Sequence, residues 1–170
     1  PHVEAAAFLC TEDGMELRKV FDTIPEQFDR YRPRYSKELF DSLISYAGLG
    51  PGKRVLELGP GTGQASGPVL DTGCDYHAIE LGEHLCAKMR EKYGGRPNFS
   101  IACDDFITHD FGSRRFDLIY SAATIQWIPE DIAFSKTYEL LVPGGTLAMM
   151  LTRSEYRSTD EALYQDIQKI

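Results

Sequence analysis

The sequence contains no C-x-x-C pair. Its four cysteines, Cys10, Cys74, Cys86 and Cys103, are scattered, so neither a zinc knuckle nor a dithiol redox motif is indicated, and no metal site is read from the chain. Cys74 and Cys103 fall in or beside predicted strands and read as small buried apolar groups. Reduced thiols suit a cytoplasmic setting. No apolar run approaches the length needed to span a membrane, and no signal peptide is visible. Basic residues are in short supply: 18 Lys and Arg stand against 26 Asp and Glu, a formal net charge of −8. A nucleic-acid partner needs a basic stripe, and this acidic balance argues against one. It is compatible with a cationic cofactor. No repeat, no low-complexity segment and no Ser-His-Asp or Cys-His arrangement is found.

The chain's centre of organisation is Arg54 to Gln64, R-V-L-E-L-G-P-G-T-G-Q. Val55, Leu56 and Leu58 suit a buried strand of a parallel sheet. Gly59, Gly61 and Gly63 follow at alternate positions. Glycines between a strand and a helix let backbone come close to a ligand, and the amides of the helix then point at it. The dinucleotide fingerprint G-x-G-x-x-G needs its third glycine where this chain has Gln64. A Walker loop needs a Gly-Lys-Ser/Thr end, which is absent.

Upstream, 1–17 is poorly patterned, with Ala5 to Cys10 as a short helix or frayed arm. Phe21 to Tyr35 gathers Phe21, Phe28, Tyr31, Tyr35, Arg30, Arg32 and Arg34 around two prolines. It reads as a surface cover for the core edge or as a segment folding over a ligand, and such a stretch has little reason to form regular structure alone. Ser36 is a good N-cap for a helix to Ala47, ended by Gly48. Downstream, strands are expected at Cys74 to Ile79, Asn98 to Ala102, Phe116 to Ser121 and Thr146 to Leu151. Helices are expected from about Ser66 to Thr72, Gly82 to Tyr93, Pro129 to Leu141 and Thr159 to Ile170, with Val142 to Gly145 a tight turn. Pro68 is tolerated only in the first turn of its helix. The alternation predicts an α/β, doubly wound, Rossmann-like sheet. Glu80, at the tip of the second strand, stands where a ribose hydroxyl pair is gripped.

The landmarks E-L-G-P-G-T-G, Glu80, D-D-F at Asp104 to Phe106, F-D-L-I-Y-S and L-V-P-G-G-T-L resemble, in order and spacing, the class I S-adenosylmethionine-dependent methyltransferases. The small-molecule and lipid branch is the nearest in pattern. The resemblance covers Phe21 to about Leu151 and implies the following. The cofactor is S-adenosylmethionine and the product S-adenosylhomocysteine. Glu57, Gly59, Pro60, Gly61, Thr62, Gly63 and Gln64 contact its methionine part and sugar. Glu80 and the adjoining Leu81 serve the ribose. Asp104, Asp105 and Phe106 serve the adenine, with either aspartate as acceptor of its amino group. Ser121 and Ala122 line the sulfonium. Tyr31-Arg32-Pro33 with Tyr35 resembles a lead-in segment that caps the methionine end, where Arg32 suits a carboxylate. Tyr35, Gln126 and Trp127 are candidate substrate contacts, Trp127 by stacking or simply by core packing. Gln126 stands where relatives often have His, and a glutamine is no base near neutral pH. His84 and His109 are bases only on paper, and no catalytic residue is assigned.

The resemblance also implies transfer of a methyl group to a small-molecule acceptor by in-line displacement. Two rivals are a binder of the cofactor without turnover and an NAD(P)-dependent oxidoreductase; the latter lacks support from any Tyr-x-x-x-Lys pair. No nucleic-acid or membrane partner is expected. The organisation expected is a 1–35 arm and cofactor lid, a 36–152 core and a 153–170 terminal helix. The family's sheet is mostly parallel and ends in an antiparallel hairpin. This chain offers five strands and no hairpin, so its last strand is an apolar edge. Truncation, cover by the last helix, or a homodimer would each account for it.

Overall fold

Each short apolar run becomes a strand, and the three central ones, at 54–58, 75–80 and 116–122, are the most deeply buried. The computed structural model describes residues 17–152. The strands are β1 (Arg54–Leu58), β2 (Asp75–Glu80), β3 (Phe99–Cys103), β4 (Phe116–Ala122) and β5 (Leu141–Met150). They form one five-stranded sheet in the order β3-β2-β1-β4-β5. Every pairing is parallel. The winding reverses at β1, which lies between β2 and β4, and in such sheets ligands bind outside the carboxyl ends of the strands at that point.

Period-two alternation splits the core into two layers. Val55, Tyr76, Ala78, Leu118 and Tyr120 pack on one face with Phe40 and Val69. Leu56, Leu58, Ile79 and Ile119 pack on the other with Phe106, Phe111 and Phe116. Burying each of the Val, Leu, Ile and Phe side chains among them contributes about 1.5–3 kcal/mol.

The helices are α1 (Pro25–Tyr31), α2 (Lys37–Ala47), α3 (Ser66–Leu70), α4 (Glu83–Tyr93) and α5 (Glu130–Leu140), with 3-10 turns at Leu17–Thr23 and Ile125–Trp127. The Ser36 hydroxyl caps α2 through the Leu39 amide, and Gly48 ends it in the left-handed region. Pro68 sits in the first turn of α3. Glu130 and Asp131 lie at the positive end of α5.

Three expectations are corrected. The aromatic segment is regular as far as Tyr31, since Leu17–Thr23 and Pro25–Tyr31 are helical, because Pro25 fixes the first helical φ and the rings find a surface to pack on; residues 32–35 carry no helix or strand, as expected. The turn before the last strand is absorbed into β5, which begins at Leu141 rather than Thr146 and ends at Met150. Its register jumps there: Phe116 pairs with Leu141 but Leu118 with Thr146. Pro143 brings no N–H and Gly144 has a φ of 78°, so the chain bulges and rejoins the ladder. Cys103 is exposed, whereas Cys74 is buried as expected; the sheet ends at Cys103, on the edge strand β3. The expected helices at 5–10 and 159–170 lie outside the described residues. Among the described residues, no helix is long and apolar enough to cross a membrane.

Candidate functional site

At the carboxyl end of β1 the chain turns through Gly59 and Gly61, with φ of 59° and 60°. Both conformations are left-handed and suit glycine. There is also no room for side chains. A Cβ on Gly59 would lie 2.3 Å from the Thr124 side chain, and one on Gly61 would lie 2.7 Å from the Phe28 ring. Thr124 holds its place by donating its hydroxyl to the Gly59 carbonyl at 2.9 Å. The loop is thus packed from the β4 side by Thr124 and from above by Phe28.

Glu80 closes β2. Its Oε2 accepts the Gly61 amide and its Oε1 the Gly82 amide, each at 2.9 Å. The residue is 7% exposed. Burial pushes its carboxyl above the usual range, opposed by the amides of Gly82, Gly61 and Leu81. Each oxygen keeps a further acceptor position, and Glu80 lines the cleft.

Glu57 lies below the loop, fully buried. Its Oε2 accepts the hydroxyls of Ser66 and Tyr120, each at 2.6 Å, and that of Tyr76. Its Oε1 has no partner among the described residues. Burial pushes its carboxyl up, opposed by those hydroxyls. Glu57 therefore ties β1 to β2, β4 and the start of α3.

The tip of β3 supplies two acids. Asp104 Oδ2 lies 2.7 Å from His109 Nδ1, and its Oδ1 accepts the Asp105 amide at 2.8 Å. Asp105 accepts Arg18 Nη1 and Nη2 at 3.2 and 2.9 Å, and the Ile107 amide at 2.9 Å. Both acids line the cleft.

The cover comes from the N-terminal segment. Phe21 and Phe28 pack with centroids 5.2 Å apart, and Trp127 meets Phe21 edge-on at 6.3 Å. The Arg32 guanidinium lies 5.9 Å from the Phe21 centroid and 5.5 Å from that of Phe28. Cation–π contact holds its faces. No carboxylate pairs with Arg32 among the described residues, although it lines the cleft.

One cleft gathers Arg32, Tyr35, Gly59, Pro60, Gly61, Gln64, Glu80, Leu81, Asp104, Asp105, Phe106, Ala122 and Trp127. Six expected residues lie outside its wall. Tyr31 is 71% exposed, stacked under Arg30 on the far side of α1. Gln126 is exposed and donates to the Ala123 carbonyl. Glu57 is occupied beneath the loop. Thr62 is fully buried and donates to Asp29 at 2.8 Å. Gly63 faces Tyr93 and Met89. Ser121 is buried and accepts the Ile125 amide. The wall also includes Arg18, Phe21, Phe28, Ala123 and Thr124, none of them singled out as contacts from sequence. For Phe21 and Phe28 the aromatic density of their segment was the available signal. Ala123, with a φ of 59°, gives no sequence signal.

Residues 56–149 match the family model of a methyltransferase domain. A malonyl-[acyl-carrier protein] O-methyltransferase from Marinomonas sp. (strain MWYL1) is 31% identical over 76% of this chain and 49% of its own length. Phosphoethanolamine N-methyltransferase 2 from Caenorhabditis elegans is 30% identical over 62% of this chain and 25% of its own. The chain thus spans half or less of these relatives. Among solved structures, the CcbJ methyltransferase from Streptomyces caelestis superposes with a TM-score of 0.64 at 27% identity, covering 78% of this chain and 57% of that one.

Proposed function

Because the chain belongs to the methyltransferase domain family, we propose that it is the cofactor-holding core of an enzyme that moves a methyl group from S-adenosylmethionine to a small-molecule acceptor. The observation that carries this reading is the buried carboxylate of Glu80, docked on the glycine loop and lining the cleft at the sheet's switch point.

The residues present fit that cofactor. Glu80 has acceptor positions left for a pair of ribose hydroxyls. Asp104, Asp105 and Phe106 offer acceptors and a ring to the base. Arg32, held by two aromatic faces and without a carboxylate partner among the described residues, offers the cofactor's carboxylate a fork of donors. When bound, the cofactor supplies an electrophilic methyl carbon on a sulfonium. The chain's task is then placement: to orient the acceptor along the methyl axis and to keep water away. Ala122, Thr124 and Trp127 border the space left for an acceptor, and the N-terminal segment is its cover. No protein nucleophile is required. The relatives named above include both O- and N-methyltransferases, which is consistent with a site whose core is fixed and whose acceptor pocket varies. The thiols of Cys74, Cys86 and Cys103 are all unpaired, which supports a cytoplasmic setting, and pairing of two chains along β5 is the assembly we favour.

A thermal-shift panel tests the reading. S-adenosylmethionine and S-adenosylhomocysteine should raise the melting temperature by mass action, and NAD, NADH, NADP and NADPH should not. Stabilisation by a nicotinamide cofactor alone would contradict it.

A further inference from the structure

The segment from Leu17 to Tyr31 reaches each of the three loops that leave β1, β2 and β3, each time through a charged side chain. Beside the glycine loop, Asp29 Oδ1 accepts Thr62 Oγ1 at 2.8 Å and Lys92 Nζ at 2.6 Å. At the turn after Glu80, Asp22 Oδ1 accepts the Leu85 amide at 3.0 Å, and its Oδ2 lies 3.0 Å from His84 Nδ1. At the tip of β3, Arg18 makes its two-point pair with Asp105, across 87 positions of sequence.

The third anchor differs from the other two. Asp22 and Asp29 lie outside the cleft wall, whereas Arg18 and Asp105 are both part of it, beside Glu80, Leu81 and Phe106. Their side chains are 14% and 23% exposed. A fork of two charge-assisted bonds, shielded from water, is stronger and more directional than a surface pair. Besides the two Arg18 donors, the Ile107 amide donates to Asp105, and two more contacts engage both oxygens of Asp104. Asp105 is thus tied to its own loop, and Arg18 reaches it from the separate N-terminal segment.

Resting on the cofactor reading above, we propose that Arg18 is a cofactor-positioning residue: paired with Asp105, it closes the nucleoside end of the cleft and sets how fast a bound adenosyl cofactor leaves. A closing contact must break before the ligand departs but need not form before the ligand arrives. Its loss therefore acts on dissociation rather than association. This assigns the pair a role that the aspartates alone, read as base acceptors, would not have.

The chain carries its own reporter. Trp127 is the single tryptophan, and it lines the cleft against Phe21. Stopped-flow tryptophan fluorescence with S-adenosylhomocysteine gives both rate constants. Arg18→Ala and Asp105→Asn should each raise the dissociation rate roughly tenfold, with association within about twofold of the parent. The double variant should be no more than marginally faster than Asp105→Asn alone, because the two residues act as one unit. Arg18→Lys keeps the charge but loses the fork, so it should fall between parent and Arg18→Ala. It also serves as the test should Arg18→Ala fail to fold. A dissociation rate equal to the parent's in the folded arginine variants, whatever their melting temperature, would overturn the proposal and leave the cofactor reading standing. Absence of any S-adenosylhomocysteine binding by the parent chain would overturn both.

Discussion

Gly61 donates its amide to the Glu80 carboxylate at 2.9 Å, buried from solvent. The central glycine of the first loop and the acid of the second strand are thus one unit before any ligand arrives. Glu80 shapes the loop as well as facing the cleft, and this gives its removal two separable costs.

Glu80→Ala leaves the Gly61 and Gly82 amides without their acceptor. Each orphaned amide costs about 1–3 kcal/mol of stability. Affinity for S-adenosylhomocysteine should fall by about 1–3 kcal/mol as well, the cost of unpaired polar partners. Urea unfolding measures the first loss and calorimetry the second. Unchanged affinity in the folded variant would remove Glu80 from the cofactor site.

Gly61→Val should abolish cofactor binding while the fold survives. The left-handed backbone costs a branched residue about 1–2 kcal/mol, and the new Cβ would lie 2.7 Å from the Phe28 ring. Pairing a smaller substitution, Gly61→Ala, with Phe28→Ala removes the clash but not the backbone strain. That double variant should recover part of the stability lost in Gly61→Ala alone. No recovery would mean that Phe28 does not cover the loop.

The loop, Glu80 and the acids at the tip of β3 were readable in the chain because each follows its own strand within a few residues. Turn residues and strand ends are local signals. The wall that comes from the N-terminal segment was not. Arg18 meets Asp105 and Phe28 meets Gly61 across stretches that no period links, and aromatic density alone could not choose between a cover and a loose surface segment. Tyr31 and Gln126 show the opposite error. Their motif positions matched, but helical phase turned Tyr31 to solvent and the 3-10 turn left Gln126 outside. At β5 the Pro-Gly-Gly signal for a turn was real, and the sheet took it in as a bulge because Leu141 still reaches Phe116.

His77 lies buried between Phe111 and Phe116, near Ser100 Oγ and Arg114. Burial, with Arg114 and His109 adding to it, pulls its pKa from 6.5 to about 4. A base depressed in this way contributes stability that is fully present above pH 6.5. That contribution is lost as pH falls from 6.5 through about 4. The loss should reach about 3 kcal/mol, at about 1.36 kcal/mol per pKa unit. Glu57 and Glu80, raised by burial, act in the opposite sense over the acidic range. The difference between parent and His77→Phe isolates the histidine: the gap in melting temperature should move in favour of the variant as pH drops from 7 to about 4. A gap constant with pH would contradict a titrating His77.

Among the described residues β5 has β4 as its one neighbour in the sheet, and Met149 is 50% exposed. An apolar edge strand with no second neighbour among the described residues favours pairing. Light scattering on the 170-residue chain should give about twice the 19.1 kDa monomer mass. A monomer with the β5 amides protected from hydrogen exchange would rule out edge pairing.

The central claim is that the cleft at the ends of β1, β2 and β3 holds S-adenosylmethionine. Calorimetric titration of S-adenosylhomocysteine into the parent chain and into Gly61→Val tests it most directly. The account predicts saturable binding at one site per chain in the parent and none in the folded variant. No binding to the parent, or equal binding to both, would contradict it.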